Sequence, residues 1–293
     1  MSGQLKEVRN RIKSVTSTQQ ITKAMKMVAA AKLRKSQDKV IQMRPYAKKL
    51  SAILQNLSGA DDEGGQNWYS AVREEKKILI VPISADRGLC GSFNSNIFKT
   101  TLSLIQNKYA TPLSKGNVMI LPIGKKSLEF FTKRSMPVVG DYWNIFSALS
   151  FEKVTGVVNY LMDSFQKGHY DKIELVYNEF KNVATQLLRT EQFLPVVPVK
   201  MEKTQAMEYI YQPNREEIIN GIIPKSLKTQ FFKAVLDTDA SFNGAQMTAM
   251  DKATENAGEL LKELKLTYNR TRQAAITKEI LEIVAGAEAL KSA

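Results

Sequence analysis

Apolar and small residues recur every three or four positions along residues 247–290. A first series alternates spacings of three and four, which is the pattern of a coiled-coil seam. Its members are Met247, Met250, Thr254, Ala257, Leu261, Leu264, Tyr268 and Thr271. After a one-residue shift of frame, a second series follows with Ile276, Ile280, Ile283, Ala287 and Leu290. A straight helix over this stretch would run ~65 Å, and it would need a partner to bury its seam.

Residues 1–58 predict that partner, a second long helix. Ser2 suits the N-cap position, and apolar residues follow at helical spacing: Leu5, Val8, Ile12 and Val15. Further along, a heptad pattern is formed by Leu33, Ser36, Val40, Met43, Ala47, Leu50, Leu54 and Leu57. Pro45 lies inside this pattern without breaking its frame, so we expect one bent helix and not two.

Between these two series the first frame becomes polar. Gln19, Thr22 and Lys26 occupy it. A rotated set of apolar residues begins there, namely Ile21, Met25 and Val28. We therefore expect the seam to shift around the helix in this region.

The middle third of the chain changes period and predicts a small α/β domain. Apolar runs at 77–84, 118–123 and 172–177 are typical of strands. Amphipathic helices are predicted at 97–109, 125–133 and 151–167. Alternation of strands and helices with right-handed crossovers predicts a mostly parallel sheet.

The next two segments lead back to the opening stretch. Residues 186–199 predict an edge strand, because Pro195 and Pro198 are tolerated there but not in a central strand. Helical spacing resumes over 215–239, interrupted only by Pro224. We predict three parts: an N-terminal coiled-coil helix 1–58, an α/β domain 75–200, and a C-terminal coiled-coil helix 212–293. The two helices would pair in antiparallel fashion with the domain at one end.

The charge is concentrated at the start of the chain. The formal net charge is +13, and residues 1–50 hold thirteen basic side chains against Glu7 and Asp38. Such a segment would bind a polyanion, so nucleic acid, an acidic membrane surface and an acidic protein are all open. Interleaved aromatic residues, which stack on single-stranded bases, are missing from it, because Tyr46 is its one aromatic residue. An acidic protein collar around a basic helix fits better than nucleic acid.

Cysteine content and hydropathy limit the remaining possibilities. Cys90 is the single cysteine, so an internal disulfide is excluded, and we expect a small buried residue in a reducing compartment. No apolar run approaches the roughly 18 residues of a membrane-spanning helix. We expect a soluble chain with Met1 as its mature start.

Residues 84–94 form the most site-like loop, because glycines after a parallel strand often bind phosphate. Their spacing matches neither common nucleotide-binding motif. We favour a structural turn in which Asn94 or Ser95 caps the next helix, with Asp86 and Arg87 paired locally or facing a partner. His169 is the single histidine and is expected in a solvated loop. The residues alone leave open a phosphate-site enzyme using Gly88 to Gly91 and a nucleic-acid-binding coiled coil.

Three motifs resemble one known family. The C-terminal sequences MTAMDKATENAGEL at 247–260 and LTYNRTRQAAITKEILEIVAGAEAL at 266–290 closely resemble the signature of the gamma subunit of F-type ATP synthase. The sequence ITKAMKMVAAAKLRK at 21–35 is similar to the family's first-helix motif. DRGLCGSFNSNI at 86–97 resembles its loop after the first strand. The motifs lie in order across nearly the whole chain.

This resemblance implies a central-stalk rotor that couples proton flow through the membrane sector to ATP synthesis or hydrolysis. It implies an antiparallel coiled coil with a small Rossmann-like domain, and no catalytic residue, metal or cofactor on this chain. The implied partners are the alpha, beta and epsilon subunits and the c-subunit ring. The implied location is peripheral, at the cytoplasmic face of a bacterial inner membrane, or at the matrix side for a mature mitochondrial protein.

The resemblance also implies contact residues. Arg272, Gln273 and Thr277 match positions that contact the beta subunit, and Met25 lies near a further contact. At the other end, Tyr209, Tyr211 and Gln212 match a segment that faces the c ring and the epsilon subunit.

Overall fold

The computed structural model of this chain describes residues 2–58, 68–183, 185–196 and 215–291. The chain divides into two compact units. The first, here called the helical unit, contains Met1–Ala29 and Met247–Ala293. The second, here called the mixed unit, contains Ala30–Gln246. The predicted boundaries 1–58, 75–200 and 212–293 remain a prediction, since 59–67 and 197–214 lie outside the described residues.

The mixed unit contains a four-stranded sheet whose order is β2-β1-β3-β4. Its strands are β1 Ile78–Pro82, β2 Val118–Ile120, β3 Lys172–Phe180 and β4 Gln186–Leu194. Strand β1 pairs in parallel with both neighbours, whereas β4 pairs antiparallel with β3. The prediction of a mostly parallel sheet with an edge strand after residue 186 is confirmed.

Helices cover both faces of this sheet. They are α2 Phe93–Lys108, α3 Ala110–Ser114, α4 Lys125–Thr132 and α5 Phe151–Gln166, with 3-10 helices at Trp68–Ser70 and Trp143–Ala148. Leu79 and Val81 pack into a core with residues of α5, and the alternate residues Ile78 and Ile80 pack into a second core with residues of α2. Alternating burial of this kind follows from the two-residue period of a strand.

Two long helices account for the rest of the described chain. Helix α1 extends over Ser2–Ser58 and continues through Pro45. Helix α6 extends over Arg215–Lys291 and continues through Pro224. The prediction of one helix around Pro45 is therefore confirmed. No helix in the described ranges combines the length and apolar character needed to cross a bilayer.

Candidate functional site

In the helical unit, α1 and α6 form an antiparallel pair. Arg9 donates a hydrogen bond to the Tyr268 hydroxyl over 3.0 Å, and Lys26 contacts Asp251 at 2.5 Å. Residue numbers thus rise along one helix as they fall along the other. The predicted antiparallel pairing is confirmed, and Arg9 also lies against the Tyr268 ring, 5.8 Å from its centroid. The hydrogen bond to Tyr268 raises the pKa of Arg9.

The seam predicted for α6 is observed. Met250, Ala257, Leu261 and Leu264 are buried. The remaining members are half-buried: Met247, Thr254, Tyr268 and Thr271. On α1, the facing apolar residues are half-buried in the same way: Leu5, Val8, Ile12 and Val15. A two-helix contact has no second layer behind it, so partial exposure along its edges is expected.

The predicted frame shift on α1 is wrong. Thr22 is 8 % exposed, whereas Ile21 and Val28 are 59 % and 55 % exposed. The seam keeps its original frame through the polar residues Gln19 and Thr22 and reaches Ala29, which is completely buried. The apolar set of Ile21, Met25 and Val28 has helical spacing, but it lies beside the seam and not in it.

Polar contacts to α6 explain why the frame holds. The Thr254 hydroxyl donates to the Thr22 hydroxyl over 2.8 Å, and the Gln19 amide donates to the Thr254 carbonyl over 3.5 Å. Lys26 pairs with Asp251 one turn further on. Polar groups in a seam are tolerated when each finds a partner, and they fix the register of the two helices. The sequence signal that identifies this seam is the unbroken alternation of three and four from Val15 to Ala29.

The second apolar series of α6 meets no partner among the described residues of the helical unit. Its members are exposed: Ile276 at 47 %, Ile280 at 54 %, Ile283 at 71 % and Leu290 at 83 %. Leu281 and Val284, which the sequence interpretation did not single out, are 62 % and 49 % exposed.

The length of α1 explains this exposure. Arg9 faces Tyr268, so the start of α1 at Ser2, seven residues earlier, corresponds to Ala275, seven residues later. Ala275 is the last half-buried residue of α6. Residues 276–290 therefore form an apolar helix surface, here called the distal surface, that no described residue covers. Apolar patches of this kind mark sites of protein contact.

The predicted contact residues at this end are accessible. Arg272, Gln273 and Thr277 are all exposed. Gln273 and Thr277 are four residues apart and share one helix face. Within the described part of the chain, no hydrogen bond or ion pair is made by these three side chains. They are free to bind another molecule.

Met25 lies elsewhere on the helical unit. It is half-buried, beside Lys26, whose partner Asp251 precedes Arg272 by 21 residues in α6. At 1.5 Å per residue this places Met25 about 30 Å from Arg272 along the helix axis. The structure therefore does not bring Met25 together with Arg272, Gln273 and Thr277. Exposed Ile21 and Val28 flank Met25, so an apolar surface is present there as well.

The other three predicted contact residues, Tyr209, Tyr211 and Gln212, lie outside the described residues. Their predicted contact with the c ring and the epsilon subunit stays a prediction.

At the loop of residues 84–92, the backbone N–H that could bind an anion already donates to a side chain of the same chain. Asp86 accepts a hydrogen bond of 2.9 Å from the backbone N–H of Lys125, at the start of α4. An anion would bind at such an N–H, so the Asp86 carboxylate stands where a phosphate oxygen would. Gly124 makes a close approach possible, because a Cβ there would lie 2.1 Å from the Ser84 carbonyl oxygen.

Asn94 stabilises the loop from inside. Its side chain accepts from the Ala85 N–H over 3.1 Å and donates to the Arg87 carbonyl over 3.1 Å. The expectation that Asn94 or Ser95 caps α2 is wrong, since both lie within that helix and Ser92 precedes it. The prediction of a structural turn is supported. Asp86 bonds to the start of α4, which is distant in sequence, so the expected local pairing of Asp86 with Arg87 is not what this contact shows.

The single histidine and the single cysteine have the predicted environments. His169 is an exposed residue in the turn before β3. Cys90 is 4 % exposed, and burial raises the pKa of its thiol. A thiol with a raised pKa is a poor nucleophile. Within the described residues no cluster of three or more potential metal ligands occurs.

Comparisons with known proteins match nearly the whole chain. A family model described as ATP synthase matches residues 4–290. The ATP synthase gamma chain of Cytophaga hutchinsonii is 55 % identical over 293 residues, covering 98 % of this chain and 99 % of that protein. The ATP synthase gamma chain of Flavobacterium johnsoniae is 54 % identical, with 98 % of each chain covered.

Solved structures show the same fold at lower identity. A chain from the Euglena gracilis mitochondrial ATP synthase, OSCP/F1/c-ring, has a TM-score of 0.71 at 23 % identity. This match covers 99 % of the present chain and 95 % of that chain. A chain from the central stalk and c ring of the Tetrahymena thermophila mitochondrial ATP synthase has a TM-score of 0.59 at 24 % identity, covering 80 % and 99 %.

Proposed function

Because the chain belongs to the ATP synthase family and is similar to its gamma chains over nearly its full length, we propose that it is the central-stalk rotor of an F-type ATP synthase. It couples proton flow through the membrane sector to ATP synthesis or hydrolysis on the beta subunits. The chain itself does no bond chemistry in this proposal. The loop at Gly88 to Gly91 and the basic first helix fit structural and protein-binding roles, so neither a phosphate-site enzyme nor a nucleic-acid-binding protein is favoured.

The uncovered distal surface is the observation that carries the proposal. A surface of exposed isoleucine, leucine and valine at the end of a two-helix rod needs an apolar collar around it. The free side chains of Arg272, Gln273 and Thr277 lie at the base of this surface. We assign them to polar contacts with the beta subunit, and Met25 to a second contact about 30 Å along the rod.

Rotation changes the contacts because the rod has different faces. In the helical unit, residues 1–29 carry six basic side chains against Glu7 alone. On the facing helix, Asp251, Glu255 and Glu259 are exposed. A turning rod would present to each beta subunit in succession the basic side of α1 and then the α6 side, where these acidic side chains lie beside exposed Lys252 and Lys262. A face that binds one conformation of a subunit better than another shifts that subunit's population by the difference in binding free energy.

The complex is membrane-associated, and the proposal includes its remaining partners. The alpha and beta subunits form the collar, and the epsilon subunit and the c ring bind at the opposite end. The bacterial gamma chains with more than half of their residues identical favour the cytoplasmic face of a bacterial inner membrane.

A double substitution tests the proposed beta-subunit contact. Arg272→Ala with Gln273→Ala removes a charged and a neutral donor, and a lost hydrogen bond to a charged group costs about 1.5–3 kcal/mol. We expect proton pumping driven by ATP to fall at least about tenfold in membrane vesicles, while the helical content of the chain is unchanged.

Lys252→Ala with Asn256→Ala is the matched control. It also removes one cation and one amide from exposed positions of α6, but these residues lie beside the packed seam. The control should retain wild-type pumping. Normal coupling in the Arg272 and Gln273 double variant would overturn the contact assignment.

A further inference from the structure

Asp237 is a wholly buried carboxylic acid on α6 in the mixed unit. Neither of its carboxyl oxygens accepts a hydrogen bond of normal geometry from the described residues. Buried polar groups are nearly always paired, because an unpaired group loses its hydration without compensation. An ionised carboxylate would lose far more hydration free energy on burial than a neutral carboxylic acid. Asp237 is therefore unsuited to its surroundings in its charged form.

Arg44 on α1 is a charged neighbour of Asp237, but its guanidinium is hydrogen-bonded to another group. Its guanidinium donates to the Phe180 carbonyl over 2.8 Å. The peptide group of Phe180, at the end of β3, also faces the carboxyl group. Lys233, one turn earlier on α6, supplies a second positive charge. Neither cation forms an ion pair with Asp237.

The strands contribute acidic and phenolic groups, which are also paired with others. Glu179 of β3 accepts from the Arg189 guanidinium of β4 over 2.7 Å. The Tyr177 hydroxyl of β3 donates to Glu191 of β4 over 2.8 Å. These bonds hold the β3 and β4 strands together beside Asp237, and neither the Tyr177 nor the Arg189 donor is directed at its carboxyl group.

The balance of these groups favours the neutral acid. Burial raises the pKa of Asp237 above its ordinary 3.8, the negative charge of Glu179 adds to this increase, and the net pKa is about 6. The positive charges of Lys233 and Arg44 and the peptide group of Phe180 lower the pKa again, but by less than burial raises it.

We propose that Asp237 is a proton-dependent latch, which fastens α6 to the hairpin of β3 and β4 when its carboxyl group is neutral and loosens that contact when it is ionised. Loss of the proton to solvent leaves a charge that needs donors. Arg44 can supply them by leaving the Phe180 carbonyl, and water can supply them by entering beside β3. Either change opens the same contact, which Ser241 on α6 also supports by donating to the Asn178 carbonyl over 3.2 Å.

The direction of the pH effect follows from the two pKa values. A carboxyl group with a raised pKa in the closed state favours closing at low pH, and this preference is lost as the pH rises toward that pKa. With pKa values of 3.8 open and about 6 closed, opening increases roughly 50-fold between about pH 4 and pH 7. Above that range it stays constant. Acidification therefore tightens this part of the chain. The latch does not depend on the proposed rotor function.

Hydrogen exchange of the full-length chain measures this opening. Exchange rates of amides in 177–182 and 186–190, corrected for intrinsic pH dependence, give the opening equilibrium at each pH. In the wild-type chain we expect the roughly 50-fold increase described above. Asp237→Asn, which keeps the shape but cannot ionise, should remove the increase. Asp251→Asn, which changes an exposed carboxylate on the same helix, should retain it.

A second measurement needs no substitution at Asp237. The carboxyl signal of Asp237 in the isotope-labelled wild-type chain should titrate near pH 6, and Arg44→Gln should raise that midpoint because a nearby positive charge is lost. A midpoint near 4 in the wild-type chain, or an unchanged pH dependence of opening in Asp237→Asn, would overturn the latch.

Discussion

Two stretches of helix α6 have similar apolar repeats but opposite environments. Between Met247 and Thr271 every position of the repeat is buried or half-buried, whereas between Ile276 and Leu290 every position is exposed. The described part of helix α1 faces the first stretch and does not extend along the second. Burial of an apolar repeat therefore depends on the length of its partner helix, and the same pattern serves as an internal seam in one place and as a binding surface in the other.

The largest effect is expected when one leucine from each stretch of α6 is replaced. Leu261 is 9 % exposed and Leu281 is 62 % exposed. Leu261→Ala should lower the free energy of unfolding of the helical pair by about 2–3 kcal/mol, because it empties part of the seam. Leu281→Ala should change it by less than about 0.5 kcal/mol. Hydrogen exchange of amides in the helical unit gives both values.

In the assembled complex, we expect Leu281→Ala to weaken binding to the other subunits more than Leu261→Ala does. Leu281→Ala should weaken retention of the chain, measured by its co-purification with the other subunits at increasing salt. Equal destabilisation of the isolated chain by both substitutions would show that residues 276–290 are packed within the chain.

A smaller effect is expected at the polar part of the seam. Thr22→Val or Thr254→Val alone removes the 2.8 Å contact and leaves the other hydroxyl with only a carbonyl of its own helix, that of Gln19 or Met250, as a partner. Either change should cost about 0.5–1 kcal/mol. The double substitution to valine should be nearly neutral, because both polar groups are removed together. Denaturation of the four chains in a double-mutant cycle measures the coupling. Additive costs would contradict a direct interaction.

The smallest effect is expected for the ion pair of Lys26 and Asp251. Its side chains are 39 % and 58 % exposed, so water and salt screen their attraction. Lys26→Gln should lower stability by less than about 1 kcal/mol, and the difference should disappear in roughly 1 M salt. A loss that persists at high salt would mean that the Lys26 methylene groups pack in the seam.

Much of the fold could be predicted because hydrophobic period reports secondary structure directly. The runs at 77–84, 118–123 and 172–177 each overlap a strand, and the amphipathic segments each overlap a helix. The edge position of β4 followed from prolines that a central strand does not tolerate. The role of Asn94 could not be predicted in this way. The hydrogen bonds of its side-chain amide depend on the path of the loop before α2, and hydrophobic periodicity does not predict that path.

The sequence by itself determined that two long helices exist, that α6 has a seam as far as Thr271, and that Arg272, Gln273 and Thr277 lie beyond the last aromatic residue of that seam. Apolar character alone could not decide which residues of α1 face that seam. Ile21 and Val28 are more apolar than Gln19 and Thr22, but the latter have partners on α6. Only the tertiary structure brings those partners together, because a polar residue can occupy a buried seam only where a second polar group meets it.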